Sequence, residues 1–105
     1  MTEVGKTAER SFEGGELGAG VCVIRVEMAP GDGPRLHRHP YEEVFVVLEG
    51  DAEFTAGDDR VSATAGESVV VPPDMAHTFV NSGDDRLRLV AIHVSPAFDT
   101  EWLEE

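Results

Sequence analysis

The sequence predicts an all-β domain, either a sandwich or a barrel. Three observations carry this: seven or more short segments alternate in polarity with the period of a strand, Gly, Pro and Asp turns separate them, and no amphipathic helix of ordinary length interrupts them. At 105 residues the chain has room for one core. Hydrophobic residues make up 41% and charged residues 28%, the balance of a folded domain rather than of a disordered tail.

Taken in order, residues 1–20 are Gly-rich, end in GGELGAG and predict a loosely held N-terminal arm, leaving residues 21–105 as the single domain with a short C-terminal tail. Val21 to Met28 is the first strand, with Cys22, Ile24, Val26 and Met28 on one face and Arg25 and Glu27 on the other. PGDGP ends it. Leu36 to His39 follows, then a corner at Pro40, then Glu43 to Leu48, whose two faces (Val44, Val46, Leu48 and Phe45, Val47) are both apolar and predict burial on both sides. Ala52 to Thr55 and Val61 to Ala63 form a hairpin around AGDDR, and Ala65-Gly66 turns into Ser68 to Val71. Pro72-Pro73-Asp74 stops that strand. Ala76 to Asn81 and Leu87 to Val94 complete the set, and Asp99 or Thr100 is a candidate cap for a short helical turn carrying Trp102 and Leu103.

The histidines are the chemical signal. His37 and His39 are two apart on a strand, so they point to one side with Cα atoms about 6.6 Å apart, and two imidazoles at that separation can converge on one ion. Glu43 lies beyond the Pro40 corner, which lets the chain return and bring the carboxylate beside them. His77, just after the Pro72-Pro73-Asp74 turn, can supply a fourth ligand from a neighbouring strand. By itself an HxH pair on a strand is more often a surface accident than a site.

The full spacing resembles the cupin superfamily. Its first motif, G-x5-H-x-H-x3-E-x6-G, is filled by Gly31, His37, His39, Glu43 and Gly50; its second, G-x5-P-x-G-x2-H-x3-N, by Gly66, Pro72, His77 and Asn81, with Asp74 in place of the usual glycine. Asp tolerates a left-handed backbone better than most residues. The resemblance spans residues 31–81 and implies a cupin jelly-roll barrel, the double-stranded β-helix, with His37, His39, Glu43 and His77 as ligands of a divalent metal. Three imidazoles and a carboxylate suit Fe, Mn, Ni, Cu or Zn, whereas Mg and Ca prefer more oxygens.

The function expected is that of a small metal-dependent enzyme acting on a compact oxygen-bearing molecule, of dioxygenase type before isomerase or lyase, or else a non-catalytic module that binds a metabolite or ion. Phe45, Val47, Phe79, Phe54 and Met75 are candidate pocket walls, and Tyr41 and Arg35 flank the ligand segment. His93 lies outside both motifs but shares a strand face with Leu87, Leu89 and Ala91, which makes it a candidate catalytic residue, as general base or as an orienting donor beside the metal. Cys22 reads as a small buried hydrophobe, and Trp102 and Leu103 as a cover for one end of the barrel.

Net charge is -13, which disfavours nucleic acid and anionic lipid as partners. A single cysteine, the lack of a signal-peptide pattern in the first residues and the lack of any run of about 18 apolar residues predict a cytoplasmic protein outside the membrane. Two apolar faces, Val44-Val46-Leu48 and Val90-Ile92-Val94, exceed what one small barrel covers and predict a homodimer, with the N-terminal arm available to add a strand to the partner.

Overall fold

The computed structural model describes residues 4–104. Ten strands run in chain order: β1 (Ser11–Phe12), β2 (Cys22–Met28), β3 (His37–Arg38), β4 (Glu43–Glu49), β5 (Asp51–Ala56), β6 (Asp59–Thr64), β7 (Ser68–Val71), β8 (His77–Asn81), β9 (Leu87–His93) and β10 (Glu101–Trp102). A single 3-10 turn, Gly14–Leu17, follows β1. The strands form two five-stranded antiparallel sheets, β1-β2-β9-β4-β7 and β10-β3-β8-β5-β6, which is the double-stranded β-helix of a cupin barrel. No helix among the described residues is long and apolar enough to cross a membrane.

Alternation puts one face of β4, β5, β8 and β9 between the sheets. Phe45, Val47, Leu87, Leu89 and Ala91 from the first sheet meet Ala52, Phe54 and Phe79 from the second, all nearly inaccessible. Phe45, Phe54 and Phe79 pack at ring-centroid separations of 4.9, 5.6 and 5.4 Å, tilted or edge-on as aromatic quadrupoles prefer. His93 falls on this same inward face with Leu87, Leu89 and Ala91.

Several local features depart from the sequence expectations. Residues 99–103 are extended rather than helical: β10 pairs Trp102 with His37 and Glu101 with Arg38, and Leu103 N–H bonds the Leu36 carbonyl at 2.9 Å. A five-residue helix is too short to hold itself, while the free edge of β3 offers backbone partners. Strand β4 is buried on one face only. Val44 and Val46 are half-buried and Leu48 is 49% exposed. The arm is also tied down in part, since β1 pairs with Val23 and Ile24 of β2, and Gly15 N–H bonds the Pro96 carbonyl at 2.8 Å. The hairpin turn is only Gly57-Asp58, because Ala56 and Asp59 already pair; Gly57 takes φ 58 there, as a two-residue turn demands.

Phe54 is central to the core and outside the histidine cluster. Phe54→Ala should therefore lower unfolding free energy by about 3–5 kcal/mol, read by chemical denaturation, with the histidine cluster's metal uptake retained at temperatures where the variant is folded.

Candidate metal centre

Strand register assembles the histidine site from both sheets. In the first, Glu43 of β4 is directly opposite His93 of β9; in the second, His37 of β3 is directly opposite His77 of β8. His39 follows β3 at the bend that Pro40 begins. Its carbonyl accepts the Asp74 N–H at 2.7 Å, and Asp74 adopts φ 65, the left-handed conformation expected where cupins carry glycine. Two turns, one after β3 and one before β8, are thereby stitched together.

His37, His39, Glu43 and His77 are all buried, and each offers a ligand atom such that the four atoms lie within 4.8 Å of one another. The imidazoles are held alike: Nδ1 of His37 lies 2.7 Å from the Arg35 carbonyl, that of His39 3.0 Å from the Asp99 carbonyl, and that of His77 2.9 Å from the Met75 carbonyl. A carbonyl can only accept, so each Nδ1 carries a proton and each Nε2 is turned toward the others as the ligating nitrogen. His39 Nε2 is buried without a hydrogen-bond partner; Glu43 Oε1 is 3.0 Å away but poorly aligned for one. An orphaned ring nitrogen beside a carboxylate is what a divalent ion would satisfy, and the donor set fits the transition metals named above.

Electrostatics follow from crowding. Burial by itself would raise the Glu43 carboxyl, but His39, His77 and His93 surround its oxygens within 3.1 Å and hold it well below the usual carboxylate range. Burial lowers His37, only partly opposed by the Arg35 carbonyl. His77 is raised: burial opposes its charge, but Glu43 Oε1 at 2.9 Å and the Met75 carbonyl outweigh that. Burial also raises Tyr41, which keeps its phenol protonated.

A cavity of about 410 Å³ opens over the site, with His37, His39, Glu43 and His93 on its floor. Its walls are mostly apolar, from Ile24, Val26, Met28, Phe45, Phe79 and Phe98. Val47 and Phe54 instead belong to the core, and Met75 packs against it from outside. Trp102 stands half-exposed at the cavity, 5.0 Å from the His37 ring, with the Arg35 guanidinium over its ring at 4.7 Å. Cys22 is a buried thiol donating to the Ser95 carbonyl at 3.2 Å and is not one of the four clustered ligand residues. Phe98 and Thr100 carry no sequence signal. They reach the cavity because the segment before β10 crosses it, in a stretch with no strand period to betray an inward face.

Protein purified without a tag should contain one divalent transition ion per chain by elemental analysis, and His77→Ala should lose most of it; full occupancy in that variant would exclude the four-ligand set. Protons compete with metal for imidazole, so occupancy should fall as pH drops below about 6.5. The raised His77 proton must be displaced on binding, which moves the onset of loss upward, while His37 and Glu43 are already deprotonated there.

The chain is similar to several known proteins. The chain is 40% identical over 70 residues to "Polyketide synthase CurC" of Streptomyces cyaneus, covering 66% of this chain and 45% of that protein, and 38% identical over 78 residues to "Protein SchB" of Streptomyces halstedii, covering 73% and 53%. It thus spans about half the length of these curated relatives. Among solved structures, Bacillus subtilis oxalate decarboxylase, studied for its Mn(II) centres, superposes with a TM-score of 0.80 at 22% identity over 92% of this chain and 29% of that one, which shows a shared fold. Residues 24–93 match the cupin domain, and the chain belongs to that family.

Proposed function

We propose that this chain is a metal-dependent cupin that holds a divalent transition ion through His37, His39, Glu43 and His77 and presents it to a compact, oxygen-bearing molecule in the apolar cavity. The observation that carries this is the uniform anchoring of three Nδ1 atoms to backbone carbonyls, which turns three Nε2 atoms toward one carboxylate. Such rigidity in a buried polar cluster has little use in packing alone. A bound ion would supply Lewis acidity and, where redox-active, a place for dioxygen. The chain itself supplies orientation, exclusion of water by Phe45, Phe79 and Phe98, and a carboxylate that stays ionised.

Among reactions, a dioxygenase on a diol, diketone or thiol accords with an ion of this donor set inside an apolar, water-poor cavity. A second reading is favoured by the 40% identity to a protein named as a polyketide synthase. It is oxygen-independent conversion of an enolisable polyketone, for which a bound ion would supply Lewis acidity. A cytoplasmic setting accords with the buried, unpaired Cys22.

Oxygen uptake by Fe(II)-loaded protein against diols, β-diketones and thiols separates these alternatives. Stoichiometric uptake with both oxygen atoms in product supports the dioxygenase. Conversion of a β-diketone without uptake supports the second reading. Tight binding without conversion would leave a non-catalytic module and remove both.

We also propose that two copies pair through the outer face of the β1-β2-β9-β4-β7 sheet. Val44, Val46, Val90 and Ile92 are half-buried there, Val94 is exposed, and Val70 is 64% exposed. Sedimentation at micromolar concentration should give twice 11.3 kDa, and Val70→Glu should give one chain's mass with the fold intact. A single-chain mass for the unaltered protein would refute the pairing.

A further inference from the structure

Four imidazoles are buried together, yet only three share the ligand geometry. His93 Nδ1 faces no carbonyl; it faces the Tyr41 hydroxyl at 2.7 Å, and its Nε2 lies 3.1 Å from Glu43 Oε2. The Tyr41 oxygen accepts the Asp99 N–H at 3.1 Å. Among the described residues the hydroxyl proton then has one acceptor in reach, His93 Nδ1. A neutral imidazole that accepts at Nδ1 must carry its proton on Nε2. An Nε2–H cannot ligate a metal, but it can donate to a carboxylate oxygen.

We propose that Tyr41 and His93 form a one-way relay, Asp99 N–H to Tyr41, Tyr41 O–H to His93 Nδ1, His93 Nε2–H to Glu43 Oε2, which keeps His93 out of the ligand set and holds Glu43 with Oε1 turned to the ion. This deepens the metal reading above and rests on it for the role of Oε1. Tyr41 and His93 are positioning residues: they act through Glu43. The division of labour on the carboxylate is already visible, since Oε1 lies 3.0 Å from His39 Nε2 and 2.9 Å from His77 Nε2, whereas Oε2 meets His93. With both ring nitrogens engaged, His93 has none free to act as a general base.

Tyr41 also stacks on His39, 5.1 Å between centroids at 5°, so Tyr41→Phe removes the hydroxyl and keeps the stack. The relay is tested by long-range proton–nitrogen NMR on 15N-histidine-labelled full chain, metal-free and Zn(II)-loaded. Expected is His93 with its proton on Nε2 in both states, and His37, His39 and His77 with theirs on Nδ1 once Zn(II) is bound. In Tyr41→Phe the His93 tautomer should become mixed, and Zn(II) affinity, measured by chelator competition, should fall by about 10–100-fold. His93→Gln retains an N–H donor and should bind Zn(II) more tightly than His93→Leu. A proton on His93 Nδ1, or on both its nitrogens, overturns the relay, as does wild-type Zn(II) affinity in both Tyr41→Phe and His93→Leu. Should the unaltered protein take up no Zn(II), the metal reading fails, and the His93 tautomer in the metal-free protein still decides the relay.

Discussion

A carboxylate that is 3% exposed inside an apolar barrel is the constraint around which the rest of this molecule is arranged. Stripped of water, an ionised Glu43 would be costly by several kcal/mol unless positive or proton-donating groups met both of its oxygens. They do, and they come from both sheets: His77 on β8 meets Oε1 and His93 on β9 meets Oε2, while the bare Nε2 of His39 beside Oε1 waits for an ion. The site therefore acts as a clamp between sheets. None of the strands β4, β8 and β9 can slip by one residue in its sheet without stranding the carboxylate, since such a slip turns every inward side chain of that strand outward.

That clamp separates the barrel into two regions. Along β4, Glu43 gives way to Phe45 and Val47; along β9, His93 gives way to Ala91, Leu89 and Leu87. The polar groups gather at one end of these strands and the close-packed core, including the Phe45–Phe54–Phe79 cluster, fills the other. Burial of the core stabilises the barrel, while the polar end specifies its register and leaves a cavity open. An apolar wall then selects for ligands whose polar atoms can all be turned toward the floor.

How much of this the sequence discloses depends on whether a residue sits in a periodic element. Strands β2, β4, β7, β8 and β9 follow from alternation, and Glu43, His37, His39 and His77 from their spacing around Pro40 and Pro72. The inward placement of His93 follows from the same alternation along β9. What alternation cannot reveal is what pairs with what. The outer face of β4 looks as apolar as its inner face, but among the described residues no strand is packed over it as the second sheet is over its inner face. The extended form of residues 101–102 is imposed by an unpaired edge 63 residues earlier, a tertiary demand invisible to local propensity. Tyr41 illustrates the limit: in sequence it merely flanks the ligand segment, and only the approach of Asp99 shows where its hydroxyl points.

The same approach explains why the patternless tail matters to the chemistry. Asp99 presents both halves of its backbone to the site: its carbonyl takes Nδ1 of His39, and its N–H meets the hydroxyl of Tyr41. One residue thus faces the imidazole system with an acceptor and a donor, and the two histidines it governs are driven to opposite tautomers, one shaped to ligate and one to donate. The segment is fixed in turn from the other terminus, because Glu13 accepts the Phe98 N–H at 2.8 Å and Gly15 holds Pro96. Residues that contribute almost nothing to the apolar core therefore set the proton arrangement at its polar end. A cupin barrel lacking this strap would still bring four donors together by strand register, but nothing would dictate which ring nitrogen of His39 or His93 faces the carboxylate.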